Sequence, residues 1–232
     1  LESLKHKSIA GLLTERQQVS NELQGIKFEE RDLPATSELI TAEHSKHLSY
    51  LRNRCAPQDY PFMIGPTIRD GIIIPFTYNH TIVGHAIRFL DDRTPKYLND
   101  MQPGYVFGTD LQHEDWQYAI VVEGVFDALA INGLAVLHAE INDAQVRLIR
   151  SLGKDIVVVP DHDEAGMKLV DRAIELGWAV SMPEWPAGVK DVNDAVIQMG
   201  KLATLITILA HRETSKIKIE LRKKQLVKRL RD

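Results

Sequence analysis

The stretch Asp155-Ile-Val-Val-Val-Pro-Asp161-His-Asp163-Glu-Ala-Gly166 limits the possible folds of this chain more than any other. A continuous apolar run rich in β-branched residues is a strand buried on both faces, the pattern of a parallel sheet covered by helices. The run ends in two carboxylates one residue apart, and Ala165-Gly166 then opens a helix. Open α/β sheets carry their chemistry at the carboxyl ends of such strands. Side chains at i and i+2 of an extended tip point the same way, so Asp161 and Asp163 can address one site. Two like charges so close are costly unless a cation or a proton neutralises them. Oxygen ligands of this type suit Mg²⁺ or Mn²⁺. On this pair alone, a helix cap beside a solvated turn acid explains the motif equally well.

A second strand tip shifts the balance. Tyr118-Ala-Ile-Val-Val122 is another short apolar strand, and it stops at Glu123-Gly124-Val125-Phe126-Asp127. Gly124 lets backbone or ligand approach closely, and Asp127 lies one helical turn above Glu123 on its side. A third acidic stretch, Lys190-Asp191-Val192-Asn193-Asp194, follows the next strand. Three strand-end acidic stretches in one βαβ-rich segment point to a shared site.

The segment from Gln117 to Met199 resembles the TOPRIM domain of DnaG-type primases, topoisomerases and some nucleases. That family carries Glu-Gly after its first strand and Asp-x-Asp after its third, and Glu123-Gly124 and Asp161-His162-Asp163 match. The primases add an aspartate four residues after the glutamate and a Lys-Asp-rich third motif, matched by Asp127 and Lys190-Asp191. The resemblance implies a mainly parallel α/β sheet flanked by helices, with Glu123, Asp127, Asp161, Asp163 and Asp191 holding Mg²⁺ or Mn²⁺. Two departures stand out: His162 replaces a residue that is small in many relatives, and Asn193 replaces a frequent second aspartate.

Upstream, Gly71 to Phe76 and Thr81 to Phe89 read as two strands joined by a turn at Asn79-His80. With Ile73 to Pro75, Gly84 to Arg88, and Pro95-Lys-Tyr-Leu-Asn99, this region resembles the amino-terminal half of the DnaG-type RNA polymerase core. The resemblance implies that Arg88, Lys96, Tyr97, Asn99 and Lys190 meet nucleotide or template. It also makes Lys96 a catalytic residue beside Glu123, Asp161 and Asp163. The implied organisation is a helical region at 1–55, a smaller α+β subdomain at 56–115, the TOPRIM domain at 116–200 and a helical basic segment at 201–232. Apolar spacing at Leu4, Ile9, Leu12, Leu13, Val19 and Leu23 predicts a first helix. Thr36-Ser37-Glu38 can start the next, over about Ala42 to Arg54.

Charge is unevenly spread. Arg212 to Asp232 carries nine Lys/Arg against three Asp/Glu, leaving 19 basic against 29 acidic residues elsewhere. An acidic body fits a metal-dependent site better than a tight duplex clamp, which needs a basic footprint. The basic tail reads as a solvated helix or linker before it reads as a nucleic-acid or helicase contact. A single cysteine, Cys55, excludes a disulfide framework and a cysteine zinc cluster within this chain. No signal pattern or apolar run of about 20 residues is present, so the expectation is a cytoplasmic setting, bacterial or in a phage-infected cell, with no membrane contact. A chain starting at leucine reads as a fragment of a larger protein. No Gly-x-x-x-x-Gly-Lys loop is found, which excludes P-loop ATP hydrolysis.

The function implied is that of a DNA primase core, extending RNA on single-stranded DNA from ribonucleoside triphosphates, with a replicative helicase as a possible partner. Two rivals use the same acids differently: a TOPRIM nuclease with water as nucleophile, and a non-catalytic nucleic-acid or helicase-binding module.

Overall fold

A computed structural model of the chain describes residues 26–66, 68, 70–138 and 140–231. The first expected helix lies outside the described residues. Five strands form an antiparallel sheet ordered in sequence: β1 (Glu38–Leu39), β2 (Met63–Ile64), β3 (Gly71–Tyr78), β4 (Thr81–Phe89) and β5 (Tyr97–Asp100). Helix α1 (Ser45–Asn53) lies between β1 and β2. The hairpin between β3 and β4 turns at Asn79 and His80, whose φ angles are 50° and 63°. Two consecutive left-handed residues match the right-handed twist of the flanking strands.

The sequence expectation of a helix start at Thr36–Glu38 is overturned. The Ser37 hydroxyl and amide both donate to the Pro34 carbonyl, Thr36 takes a φ of 61°, and Glu38–Leu39 pairs with β2. The turn consumes the groups that would have capped a helix, and α1 starts later, after His44.

The second sheet holds β6 (Tyr118–Val122), β7 (Leu134–Ala135), β8 (Asp155–Val158), β9 (Ala179–Ser181) and β10 (Arg212–Glu213), in the order β10-β9-β8-β6-β7. Its pairs are parallel except for β10, a two-residue antiparallel edge. The connecting helices are α2 (Val125–Ile131), α3 (Asp143–Ser151), α4 (Glu164–Leu176), α5 (Val192–Met199), α6 (Lys201–Ala210) and α7 (Lys216–Arg231). The chain leaves β6 for β7 on one side and returns across it to β8 on the other. The strand order therefore reverses between β6 and β8, where crevices open at the carboxyl ends of strands.

Why these elements form is plain from their residues. Ala119, Val121, Val122, Val157 and Val158 are fully buried because helices cover both faces of the sheet. Asn142 and Gln145 form a reciprocal capping box at the start of α3. Gly177, at a φ of 70°, closes α4. One apolar cluster takes residues from both sheets, including Ile72, Ile74 and Phe76 from β3 and Ile120, Val122 and Phe126 from the second unit. Phe62 and Phe126 lie stacked with ring centres 6.3 Å apart, which holds the antiparallel sheet against α2.

The basic C-terminal segment is part of this body and not a free linker. Ile219 is buried, Leu226 and Val227 pack against the same cluster as Met167 and Val170 of α4, and Lys223 pairs with Asp171. Its polar composition hides an apolar stripe just wide enough to dock one helix face.

Candidate catalytic site

The acids gather where the strand order reverses. Val121 lies level with Val158 in the parallel β6–β8 pair, and Val159 N–H donates to the Val121 carbonyl at 2.9 Å. Continuing that register brings Glu123 beside the tip carrying Asp161, and the Asp161 amide donates to Glu123 Oε1 at 3.1 Å. Gly166 makes this approach possible. A Cβ there would stand 2.2 Å from the Asp161 carbonyl oxygen and 3.0 Å from Glu123 Oε1. Alanine therefore cannot enter without moving the tip.

Asp127, one turn into α2, is buried, and its Oδ1 accepts the Asn193 amide at 2.8 Å. Asp191 is close enough for its charge to act on the Asp127 carboxyl. Burial, followed by repulsion from Asp191, pushes Asp127 up to about 8. Burial and then the charges of Asp127, Glu123, Asp191 and Asp163 push Asp161 up to about 9. Glu123 is raised as well, first by burial. Five carboxylates thus repel one another across one crevice.

Asp163 and Asp191 also have structural roles. Asp163 caps α4 by accepting the Gly166 amide at 2.8 Å, and Asp191 caps α5 by accepting the Asp194 amide at 2.7 Å. The helix cap weighed for this motif is therefore present at Asp163. Among the described residues, no three His, Cys, Asp or Glu side chains surround one point as a ready cation cage. The donors nonetheless fit a hard divalent cation in kind. They are all oxygens and closely grouped, and Asp127 and Asp161 are raised first by burial and then by repulsion that a cation would relieve.

The basic and aromatic residues fall into two groups. Arg88 on β4 lies opposite Tyr97 on β5, its guanidinium 4.8 Å from the Tyr97 ring centre and 5.7 Å from that of Tyr50 on α1. Burial raises the Tyr97 phenol, the Arg88 charge opposes the rise, and Asp127 adds to it, so this pair borders the acids. Lys96 and Asn99 do not join it. Lys96 is exposed, donating to the Asp91 carbonyl at 2.8 Å, and Asn99 lies exposed on the edge strand. The Lys190 side chain is exposed, and its carbonyl accepts the His162 amide at 2.9 Å.

Sequence reasoning missed Arg54. Its guanidinium donates to Asn193 Oδ1 at 3.0 Å and lies 5.8 Å from the Tyr50 ring centre. Asn193, where the sequence departs from a frequent aspartate, is buried and fully occupied: Nδ2 donates to the Arg54 carbonyl at 2.7 Å and to the Phe126 carbonyl at 3.4 Å. The departure from aspartate at this position was the available signal. The amide supplies the donor that a carboxylate lacks.

Known proteins resemble this chain in sequence and in fold. Residues 120–196 match the family model described as Toprim-like. The DNA primase of Clostridium acetobutylicum is 28% identical over 154 residues, covering 58% of this chain and 26% of that protein. The DNA primase of Synechococcus elongatus is 32% identical over 126 residues, covering 46% of this chain and 18% of that protein. The chain thus spans about a quarter or less of the length of these curated relatives. The solved catalytic domain of a DnaG primase bound to single-stranded DNA has a TM-score of 0.58 at 17% identity, covering 88% of this chain and 80% of that chain, a likeness of fold. Residues 120–196 are thus Toprim-like, and they are set in a fold like that of the DnaG catalytic core.

Proposed function

We propose that this chain is the catalytic core of a DNA primase, a DNA-directed RNA polymerase that makes short RNA primers on single-stranded DNA. The observation that carries this reading is the Glu123–Asp161 contact at the β6–β8 switch, with Asp127 and Asp191 beside it and the Arg88–Tyr97 pair on its border. Glu123, Asp127, Asp161, Asp163 and Asp191 would hold the divalent cation, Mg²⁺ or Mn²⁺. When bound, it supplies charge stabilisation at the attacked phosphate and the leaving oxygen.

The chain's own residues then act on position and charge. The 3′-hydroxyl oxygen of one nucleotide bonds to the α-phosphorus of the next, its proton passes to solvent, the bond to the bridging oxygen breaks, and pyrophosphate leaves. Arg88, clamped between two rings, presents a cation of fixed orientation for phosphate. Tyr97 offers an aromatic face near the acids, suited to a base or ribose. Lys96, Asn99 and Lys190, all exposed, would meet template or triphosphate as these arrive. No helix among the described residues is long and apolar enough to cross a membrane. The proposed setting is the cytoplasm of a bacterium or of a phage-infected cell, with a replicative helicase as partner in cis or in trans.

The test is incubation with single-stranded DNA, labelled ribonucleotides and either Mg²⁺ or Mn²⁺, scored for synthesis and cleavage together. Short RNA products are expected. Cleavage without synthesis would replace this reading with a nuclease, and binding without either would leave a non-catalytic module.

A further inference from the structure

A second cavity lies beside the acid crevice, on the side of α7. It encloses about 780 Å³, within the range of small-molecule sites, and its walls join the Asp161–Asp163 tip, the 183–190 loop and α7. Helix α7 presents Arg222, Gln225, Leu226 and Arg229 to it, at the i, i+3, i+4, i+7 spacing of one helix face. The docking of Ile219, Leu226 and Val227 on the body, with the Lys223–Asp171 pair, turns this row inward. Lys190 completes the basic lining, and its ammonium has no hydrogen bond or ion pair among the described residues. The carboxylates on the wall are already engaged. Glu184 accepts from Arg229 at 2.7 Å, and Asp163 accepts the Gly166 amide.

Two lining groups lack partners. His162 Nε2 and Trp185 Nε1 are buried with no hydrogen bond among the described residues, and their rings lie 6.3 Å apart. Native proteins rarely leave such atoms unpaired. Packing alone would account for Trp185, but not for an indole and an imidazole bordering a polar cavity with three cations on its wall.

We propose that this cavity binds a phosphorylated nucleoside, with its phosphate among Lys190, Arg222 and Arg229 and its base against Trp185. A guanidinium and an ammonium converging on one space suit a phosphate, and an indole face suits a base of any sequence. The ligand is either a free nucleoside polyphosphate or a nucleotide within a single strand. The inference deepens the catalytic reading, in which Lys190 already meets template or triphosphate, by naming a cation and indole pocket that needs no metal.

The test is calorimetric titration of the full chain in a chelator, which removes any cation-dependent binding at the acids. The probes are ATP, a single-stranded hexanucleotide, pyrophosphate and adenosine. ATP or the hexanucleotide should bind, whichever is tighter identifying the source, with adenosine weaker than either. Arg222→Gln and Arg229→Gln should each weaken binding by about tenfold, the loss of one charge-assisted hydrogen bond. Trp185→Leu should weaken ATP and spare pyrophosphate. Lys190→Gln, which breaks no intramolecular bond, gives the same readout if an arginine variant melts early. Absence of chelator-resistant binding, or binding unchanged in the Arg222, Arg229 and Lys190 variants, overturns the proposal.

Discussion

Both polar atoms of the Asn193 side chain are held by Arg54, one by its backbone carbonyl and the other by its guanidinium. The Asn193 amide nitrogen donates to the Arg54 carbonyl at 2.7 Å, and its oxygen accepts from the Arg54 guanidinium at 3.0 Å. Through this clasp, the end of α1 is fastened to the first turn of α5, whose backbone in turn supports Asp127. The antiparallel unit and the acid site are thereby coupled by hydrogen bonds as well as by the shared apolar core.

Asn193→Ala should consequently destabilise the chain by about 1–3 kcal/mol, since it leaves the half-buried Arg54 carbonyl and guanidinium without this partner. Urea denaturation measures this directly. Asn193→Asp should cost at least as much, because it loses both donors and adds a charge beside Asp127. Unchanged stability in both variants would mean the clasp carries no weight.

Gly166→Ala tests the close approach of α4 to the strand tip. With only 2.2 Å between the new Cβ and the Asp161 carbonyl oxygen, the tip must shift. The expected loss is about 1–3 kcal/mol, the usual cost of overpacking. At a temperature where the variant is fully folded by circular dichroism, primer synthesis should still be depressed, because Glu123 loses its Asp161 contact. Full activity in the folded variant would detach that contact from catalysis.

Much of the acid site is legible in the sequence. Tyr118–Val122 and Asp155–Val158 are short, β-branched and bounded by acids, so their type and their functional ends can be read together. The Arg54–Asn193 clasp is not legible, because its partners are 139 residues apart and neither has a local signature. The edge strand Arg212–Glu213 is too short for any period to appear. Helix α7 reads as a linker because its charge outweighs the narrow stripe of Ile219, Leu226 and Val227. Resemblance alone puts Lys96 at the site, whereas its own loop holds it through the Asp91 carbonyl.

Arg88→Lys examines the cation held between two rings. The planar guanidinium faces both Tyr97 and Tyr50, a geometry an ammonium does not reproduce. A double-mutant cycle with Tyr97→Leu should return a coupling of about 0.5–1 kcal/mol. Primer synthesis should show a raised KM for nucleotide or template in the single Lys variant. A coupling of zero would reduce the pair to mere proximity.

Asp161→Asn and Asp163→Ala should move stability in opposite directions, although the residues are two apart. Asp163 caps α4, so Asp163→Ala should cost about 1 kcal/mol at every pH above the carboxylate range. Asp161 is raised to about 9 in the folded chain from an ordinary value of 3.8, so the folded state binds its proton more tightly than the unfolded state does. That contribution is fully present below the unfolded value and is lost as pH rises through the folded one. The metal-free melting temperature should therefore fall between about pH 4 and about pH 9. Asp161→Asn has no proton to lose. It should flatten this slope and stabilise the metal-free chain at pH 8 by about 1–3 kcal/mol, while primer synthesis drops by orders of magnitude. Melting curves across pH, with and without Mg²⁺, separate the two residues. An Asp161→Asn chain that retains the parent's pH slope and makes primer at the parent's rate would remove Asp161 from the acid site.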